Sequence, residues 1–179
     1  MLNKLLLFSI LLFPLTASGQ MKHQVGVSYY GASITRPGFG LINEFSHDLD
    51  KGHSLSLRTT LGFSHHRRLS NTYFILLEGV YRYKFNSGFF LNALAGGGYQ
   101  YARLIGDVYE YDNGAFEKAK NPSRGYFMPS AGLGFGKKWS ADKESPFTWF
   151  LNARANAKYP FNNLWLWFPS VETGLMYEF

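Results

Sequence analysis

The 179-residue sequence contains no cysteine, which excludes disulfide bonds, thiolate metal sites and an acylated cysteine anchor. After residue 15 it also lacks long apolar runs. Arg, Lys, Glu or Gly interrupts each run well before the roughly 20 residues that a membrane-spanning helix needs. No later window has the periodicity of an amphipathic helix. These absences favour strands as the main structural element.

Residues 1–19 have the pattern of a secretory signal peptide. A cationic start precedes an apolar stretch that ends at Leu15, and the small residues Ala17 and Gly19 form a cleavage site. The apolar stretch is too short for a membrane anchor. We therefore expect removal of residues 1–19 and a single mature domain, residues 20–179.

Alternation of apolar and polar residues with a period of two runs through the mature chain in eight segments. Each segment reaches the roughly 9 to 11 residues that a tilted membrane strand needs. The segments are residues 23–33, 39–49, 53–65, 72–85, 89–105, 125–139, 147–159 and 165–179. From the third segment onward the apolar residues occupy odd positions. The register of the first two is less regular, because Asn43 and His47 share the face of Phe45.

The connections between these segments indicate hairpins. Residues 50–52 and 86–88 are three-residue loops that end in glycine, a form typical of a type I turn followed by a left-handed residue. The other connections, expected to be longer, alternate with the short ones and span residues 34–38, 66–71, 106–124 and 160–164. Within the longest, Asn113-Gly114 predicts a further hairpin tip that pairs odd with even positions.

Aromatic residues collect near both ends of the predicted strands, as at the two interfaces of a membrane. The last segment ends with Leu175, Tyr177 and Phe179 on one face. This ending resembles the C-terminal insertion signal of bacterial outer-membrane β-barrel proteins. The mature chain resembles the small eight-stranded barrels of the OmpX and OmpA-transmembrane-domain type.

The resemblance implies an all-β fold, an eight-stranded antiparallel up-and-down transmembrane β-barrel in the cell outer membrane. It also implies contact with outer-membrane lipid and recognition by the barrel-assembly machinery. A soluble lipocalin-like barrel is the alternative, since it also has eight strands but turns its apolar face inward around a ligand. Periodicity alone does not separate the two, whereas the aromatic ending, the two belts and the alternating connections favour the membrane.

In a membrane barrel the even-numbered charged residues face the lumen: Glu44, Arg58, Glu78, Arg82, Arg154 and Glu172. All except Arg82 are predicted to share one layer near the middle of the strands. Adjacent strands then offer the pairs Glu44 with Arg58 and Arg154 with Glu172, which favours a salt-bridge network over acid–base catalysis. The inward glycines on the fifth and sixth segments, among them Gly96 and Gly132, leave room for long side chains or a small cavity.

A basic cluster, His65, His66, Arg67 and Arg68, lies in the second long connection. Neighbouring serines raise the alternative of a lipid A acyl-modifying enzyme, but the His-x-Ser motif of the deacylases is missing. Metal binding is disfavoured because adjacent strand residues point apart. Lys+Arg number 18 against 12 Asp+Glu. We predict contact with lipopolysaccharide phosphates rather than nucleic acid.

The acidic residues of the 106–124 loop lack the spacing of a calcium loop. A protein partner at this loop is the functional alternative to a solvated hairpin. We expect no catalytic, cofactor-binding or metal-binding residue. The predicted function is an integral barrel with a structural or interaction role through its extracellular loops, not a wide pore. A lipid A acyl-modifying enzyme and an accessory subunit of a larger outer-membrane complex are the alternatives.

Overall fold

A computed structural model describes residues 21–31, 36–67, 69–105, 109–112, 115–118, 123–139, 145–161 and 163–179. The predicted signal peptide, residues 1–19, lies outside the described residues. So do Arg68 and the predicted hairpin tip Asn113-Gly114.

The described residues form ten strands joined by turns and one short 3₁₀ segment, Asp50–Gly52. They are β1 (Met21–Gly31), β2 (Pro37–Asp48), β3 (His53–His66), β4 (Ser70–Lys84), β5 (Phe89–Leu104), β6 (Tyr109–Asp112), β7 (Ala115–Lys118), β8 (Ser123–Lys138), β9 (Phe147–Phe161) and β10 (Leu164–Glu178). Eight of them close into an antiparallel barrel in the order β1-β10-β9-β8-β5-β4-β3-β2, while β6 and β7 form a separate sheet. The predicted eight-stranded up-and-down barrel is confirmed. Within the described ranges, no helix has the length and hydropathy to cross a bilayer.

Residues of equal parity face each other across the barrel strands, so even-numbered side chains point into the lumen. Glu44 pairs with Arg58, and Arg58 pairs with Glu78. Strands β1 and β2 obey the same rule, although their sequences are less regular. The outward Asn43 lies in the middle of β2, and its Oδ1 is 2.6 Å from the His23 ring nitrogen Nε2 on β1. The local polar pair therefore explains the irregular pattern.

The outer surface is apolar over most of its area. Leu133 and Trp167 are 70% and 69% exposed, and the other outward strand positions carry mainly Leu, Phe, Tyr and Val. The inner surface instead holds the buried polar and charged residues. A closed barrel with this distribution is stable in lipid and would aggregate in water. The lipocalin-like alternative is therefore wrong.

Two ends of the barrel can be distinguished by their connections. The turn end carries residues 49–52, 85–88 and 139–146, and the hairpin end carries residues 32–36, 67–69, 105–122 and 162–163. The expected alternation of short and long connections is not observed. Strand β9 ends at Phe161 and β10 begins at Leu164, so the last connection at the hairpin end is only residues 162–163. Only the 105–122 connection is long at its end.

The turn conformations agree with the sequence in part. Gly88 has a φ of 81°, as a three-residue hairpin loop requires. In the first loop Lys51 as well as Gly52 is left-handed, with φ of 60° and 82°, so this loop is not the predicted type I form. Strands β6 and β7 pair Tyr111 with Phe116, which confirms the predicted odd-with-even hairpin.

Candidate functional site: the lumen and its two mouths

Six charged side chains meet in the middle of the lumen, on β2, β3, β4, β9 and β10. They are Glu44, Arg58, Glu78, Arg82, Arg154 and Glu172, and all are buried. Three guanidinium groups face three carboxylates, so the formal charges balance. Charges taken out of water need such compensation, because an unpaired ion in a dry interior is strongly destabilising.

Glu44 is bound by arginines from two other strands, the adjacent β3 and the next strand, β4. Arg58 on β3 donates from Nε to Oε2 at 2.7 Å, and Arg82 on β4 donates from Nη2 to Oε1 at 2.9 Å. Arg82 also donates from Nε to the side-chain oxygen of Asn92 at 2.9 Å. On β4, Arg82 lies four residues closer to the turn end than Glu78 and still joins the network.

Arg154 connects opposite walls of the barrel. Its Nε and Nη2 donate to the two carboxylate oxygens of Glu78 at 2.9 Å each, a bidentate contact. Its Nη1 lies 2.7 Å from Oε2 of Glu172 on the adjacent strand. The sequence predicted the contact with Glu172. The contact with Glu78 was not predicted, because β4 and β9 are not neighbours.

Apolar side chains close the lumen on both sides of the charged layer. The hairpin-side cluster consists of Tyr30, Phe74, Leu76 and Met128, with Phe168 packed against it. The turn-side cluster consists of Ile42, Phe90, Phe150 and Met176. Sequence reasoning missed both clusters. Their signal was present, since all nine residues are apolar at even positions, the parity that faces inward.

The inward glycines make space for their neighbours. A Cβ on Gly136 would lie 2.3 Å from Cζ of Phe90, and one on Gly132 would lie 2.8 Å from Cγ of Arg154. These side chains come from adjacent strands rather than from the opposite wall. Glycine is therefore used here for close packing, and the space is filled rather than left as an internal cavity.

The mouth at the turn end is lined by mutually paired charges. Asp48 lies between Lys22, whose Nζ is 2.6 Å from Oδ2, and Lys84, which forms a second ion pair. Lys138 lies with its Nζ 3.1 Å from Oε1 of Glu178. A cavity of about 280 Å³ opens among these groups. Each of the three lysines that line this cavity thus has a carboxylate partner.

The mouth at the hairpin end has a different composition. The Lys158 ammonium lies over the rings of Tyr126, Phe161 and Phe168, at 5.5, 5.6 and 5.3 Å from their centroids. Arg36 lines a neighbouring cavity of about 10 Å³. Neither cation forms an ion pair with any residue that the structure describes.

The basic cluster predicted from the sequence is divided between the two faces of the wall. His65 and Arg67 are exposed, whereas His66 is half-buried and points inward. His66 lies opposite Ser70 in the strand register, but its Nδ1 has no hydrogen-bond partner in the described part of the chain. A hydrolytic serine–histidine pair needs a third group that orients the histidine. No set of three or more metal-ligating side chains occurs among the described residues.

The predicted insertion signal lies on the outer surface of β10 and just beyond it. Leu175, Tyr177 and Phe179 are exposed, and the rings of Tyr177 and Phe179 are 5.0 Å apart. The backbone N–H of Phe179 donates to the His23 carbonyl at 3.0 Å. The chain terminus is therefore fixed to β1, where the barrel closes.

No protein-family model matches the chain, and no curated protein matches it. Among solved structures, the N-terminal β-barrel domain of Pseudomonas aeruginosa OprF is 13% identical with a TM-score of 0.50, and the match covers 89% of this chain and 100% of that one. Neisserial surface protein A (NspA) is 11% identical with a TM-score of 0.53, over 89% and 97% of the two chains. Identities this low show a shared fold and not a shared activity.

These likenesses agree with the closed eight-stranded sheet. Within lipid, only helices and closed barrels pair all their backbone N–H and C=O groups in hydrogen bonds. The closed sheet and the apolar exterior of this chain meet that requirement. The chain has the fold of the small outer-membrane barrels and is an integral outer-membrane β-barrel.

Proposed function

We propose that the protein acts by contact with other envelope or extracellular molecules through its hairpin end, and not by conducting solutes through its lumen. The observation that carries this proposal is the filled lumen. The barrel axis is occupied in turn by the hairpin-side cluster, the ionic layer and the turn-side cluster. An interior of eight strands is only wide enough for side chains to fill.

The hairpin of β6 and β7 is the second support. Pairing between β5 and β8 ends at Arg103 and Ser123, and β6 and β7 then pair only with each other. The hairpin is therefore a separate element beyond the barrel. In sequence it carries Tyr109, Tyr111 and Phe116, residue types that are enriched in protein interfaces. Because outer-membrane barrels carry their longer loops outside the cell, and the 105–122 connection is the longest one, we assign the hairpin end to the cell exterior.

The proposal also gives the basic cluster a role. His65 and Arg67 are exposed at the hairpin end, and His66 and Arg68 belong to the same segment. Cations at this depth suit the phosphates of lipopolysaccharide, each basic residue near an anionic surface contributing about 1 kcal/mol. Lipid contact would hold the barrel in the outer leaflet and leave the hairpin free for a partner.

The test replaces residues 106–122 with an Asn-Gly turn. Wild-type and variant proteins are crosslinked in intact cells, extracted in mild detergent and purified. We expect the wild type to yield a defined crosslinked partner and the variant to lose it. The matched control replaces residues 140–144 at the turn end with Gly and Ser. Both variants must still show the heat-dependent gel shift of a folded barrel.

Two outcomes would reject the proposal. One is a crosslinked partner that survives hairpin replacement and disappears with the turn-end control, because contact would then occur at the other end. The other is a change in lipid A acylation when the protein is expressed, measured by mass spectrometry. That result would instead support the lipid-modifying enzyme.

A further inference from the structure

Lys158 on β9 is a buried cation without an anion. The residue is 7% exposed, and its ammonium forms no hydrogen bond or ion pair with any described residue. It lies over three aromatic rings, an arrangement that favours a positive charge. Ring contact does not replace the hydrogen bonds that an ammonium makes in water, so donors of Lys158 stay available.

A second cation lies near it. Arg36 directly precedes β2 and lines the small cavity together with Phe168, whose ring lies under the Lys158 ammonium. Like charges repel more strongly near a protein interior than in water. The pair is therefore unfavourable by itself and would become favourable with an anion between the two groups.

Polar side chains with free hydrogen-bonding groups surround the same mouth. Ser64, Thr72 and Gln100 line the cavity beside Arg36 and are 5%, 8% and 5% exposed. None of them has a side-chain hydrogen bond within the described part of the chain. Their polar atoms are not among the fully enclosed unpaired atoms of the lumen, such as Oγ of Ser54 and Oγ1 of Thr60, so they remain accessible to water or to a ligand at the mouth.

The charge distribution decides which ligand this mouth suits. On the eight barrel strands, every carboxylate lies in the middle of the lumen or at the turn end: Glu44, Asp48, Glu78, Glu172 and Glu178. The hairpin-end cations are thus left uncompensated by the barrel. A ligand that brings negative charge and several acceptor oxygens matches both the cations and the hydroxyl and amide donors.

We infer that the hairpin-end mouth of the barrel binds a phosphate-type anion between Lys158 and Arg36. The enclosed cavity, about 10 Å³, has room for about one water molecule. The anion would therefore sit above it, at the open mouth, with Ser64 or Thr72 reached through that water. The phosphate could belong to an outer-leaflet lipid or to a soluble compound. The site does not depend on a protein partner at the hairpin.

The direct test uses the full mature protein, folded in zwitterionic detergent micelles. Calorimetric titration with inorganic phosphate is carried out at constant ionic strength, so that simple screening does not contribute. We expect saturable binding that becomes about tenfold weaker or more in Lys158→Met, since one charge-assisted contact is lost. Arg36→Gln should weaken it as well. Lys137→Met is the matched control, because Lys137 also lies over a ring, that of Phe89, but at the turn end.

A second measurement needs no variant and covers the case in which Lys158→Met does not fold. Lysine acetylation of the wild-type protein is followed by mass spectrometry with and without phosphate. Phosphate should slow modification of Lys158 several-fold and leave Lys137 unchanged. Equal rates with and without phosphate, or wild-type binding that Lys158→Met retains in full, would overturn the inference. Phosphate binding that appears only after the β6–β7 hairpin is replaced would also overturn it. In that case carboxylates of the hairpin would occupy the site in the wild-type protein.

A third experiment distinguishes a lipid headgroup from a soluble compound as the source of the phosphate. Micelles containing lipid A are compared with micelles containing dephosphorylated lipid A, and Lys158 acetylation is measured in each. Protection by the phosphorylated lipid at concentrations where inorganic phosphate gives little identifies a lipid headgroup. Protection by inorganic phosphate alone identifies a soluble ligand. An absence of protection in every arm would again overturn the inference.

Discussion

The two mouths of this barrel differ in how their lysine side chains are compensated. At the turn end, Lys22 and Lys84 share the carboxylate of Asp48, and Lys138 pairs with Glu178. At the hairpin end, Lys158 faces aromatic rings, and the described structure gives it no carboxylate.

This difference indicates which end of the barrel can bind a charged ligand. Paired charges at the turn end satisfy one another and leave little for a ligand to gain. Uncompensated charges at the hairpin end can be compensated only from outside the barrel strands. Between the mouths, the ionic layer and its two apolar clusters separate the ends, so that each mouth is a site of its own.

The largest expected effect concerns the layer that separates the mouths. Arg154→Ala would leave Glu78 and Glu172 buried without their main partner, a loss that typically costs about 3 to 5 kcal/mol. Urea unfolding of the folded barrel in lipid vesicles should therefore shift to clearly lower denaturant. Lys22→Ala is the control, because its ion pair at the rim is exposed to solvent. If the two variants unfold alike, the ionic layer is not the stabilising feature that its geometry indicates.

The next effect concerns the turn end during biogenesis. Deleting Phe179 removes an exposed ring that packs on Tyr177 and His23, together with its backbone contact to β1. We expect a lower folded, heat-modifiable fraction in outer membranes. The hairpin replacement, a larger change at the opposite end, should leave that fraction nearly unchanged. A normal folded fraction without Phe179 would contradict the role predicted for the ending.

The smallest effect compares one lysine from each mouth. Lys84→Met removes an ion pair of Asp48 and should lower the free energy of unfolding by up to about 1 kcal/mol, the usual value for exposed pairs. Lys158→Met should leave stability unchanged or raise it, because methionine packs well against aromatic rings and carries no charge to bury. The measurement is urea unfolding in phosphate-free buffer. A larger loss for Lys158→Met would mean that its charge is already compensated.

Much of the fold could be predicted from the sequence because it depends on a period of two. The parity of Leu55, Tyr81 and Leu133 already separated the apolar face of the sheet from the polar face, and the aromatic ending and belts indicated which face meets lipid. Neighbour pairs followed as well, since the register of β2 against β3 brings Glu44 opposite Arg58.

Other features depend on contacts that parity does not contain. The Glu78–Arg154 pair crosses the lumen, so it requires the closed diameter and the shear of the barrel. The hairpin-end site needs residues that lie far apart in sequence, Arg36 before β2 and Lys158 on β9. The lengths of the connections were predicted less well. The apolar–polar alternation stops being visible before the strands end, so β9 and β10 extend into the predicted 160–164 connection.

The most direct test of the closed lumen is electrical. Full mature protein is reconstituted into planar lipid bilayers and held at a constant voltage, with an open-pore barrel measured in the same bilayers as a control. We expect no stable conductance steps, because the apolar clusters around Phe74 and Phe150 and the ionic layer between them leave no water path. Large, steady single-channel currents from the wild-type protein would contradict the account and would turn the ionic layer into a selectivity ring.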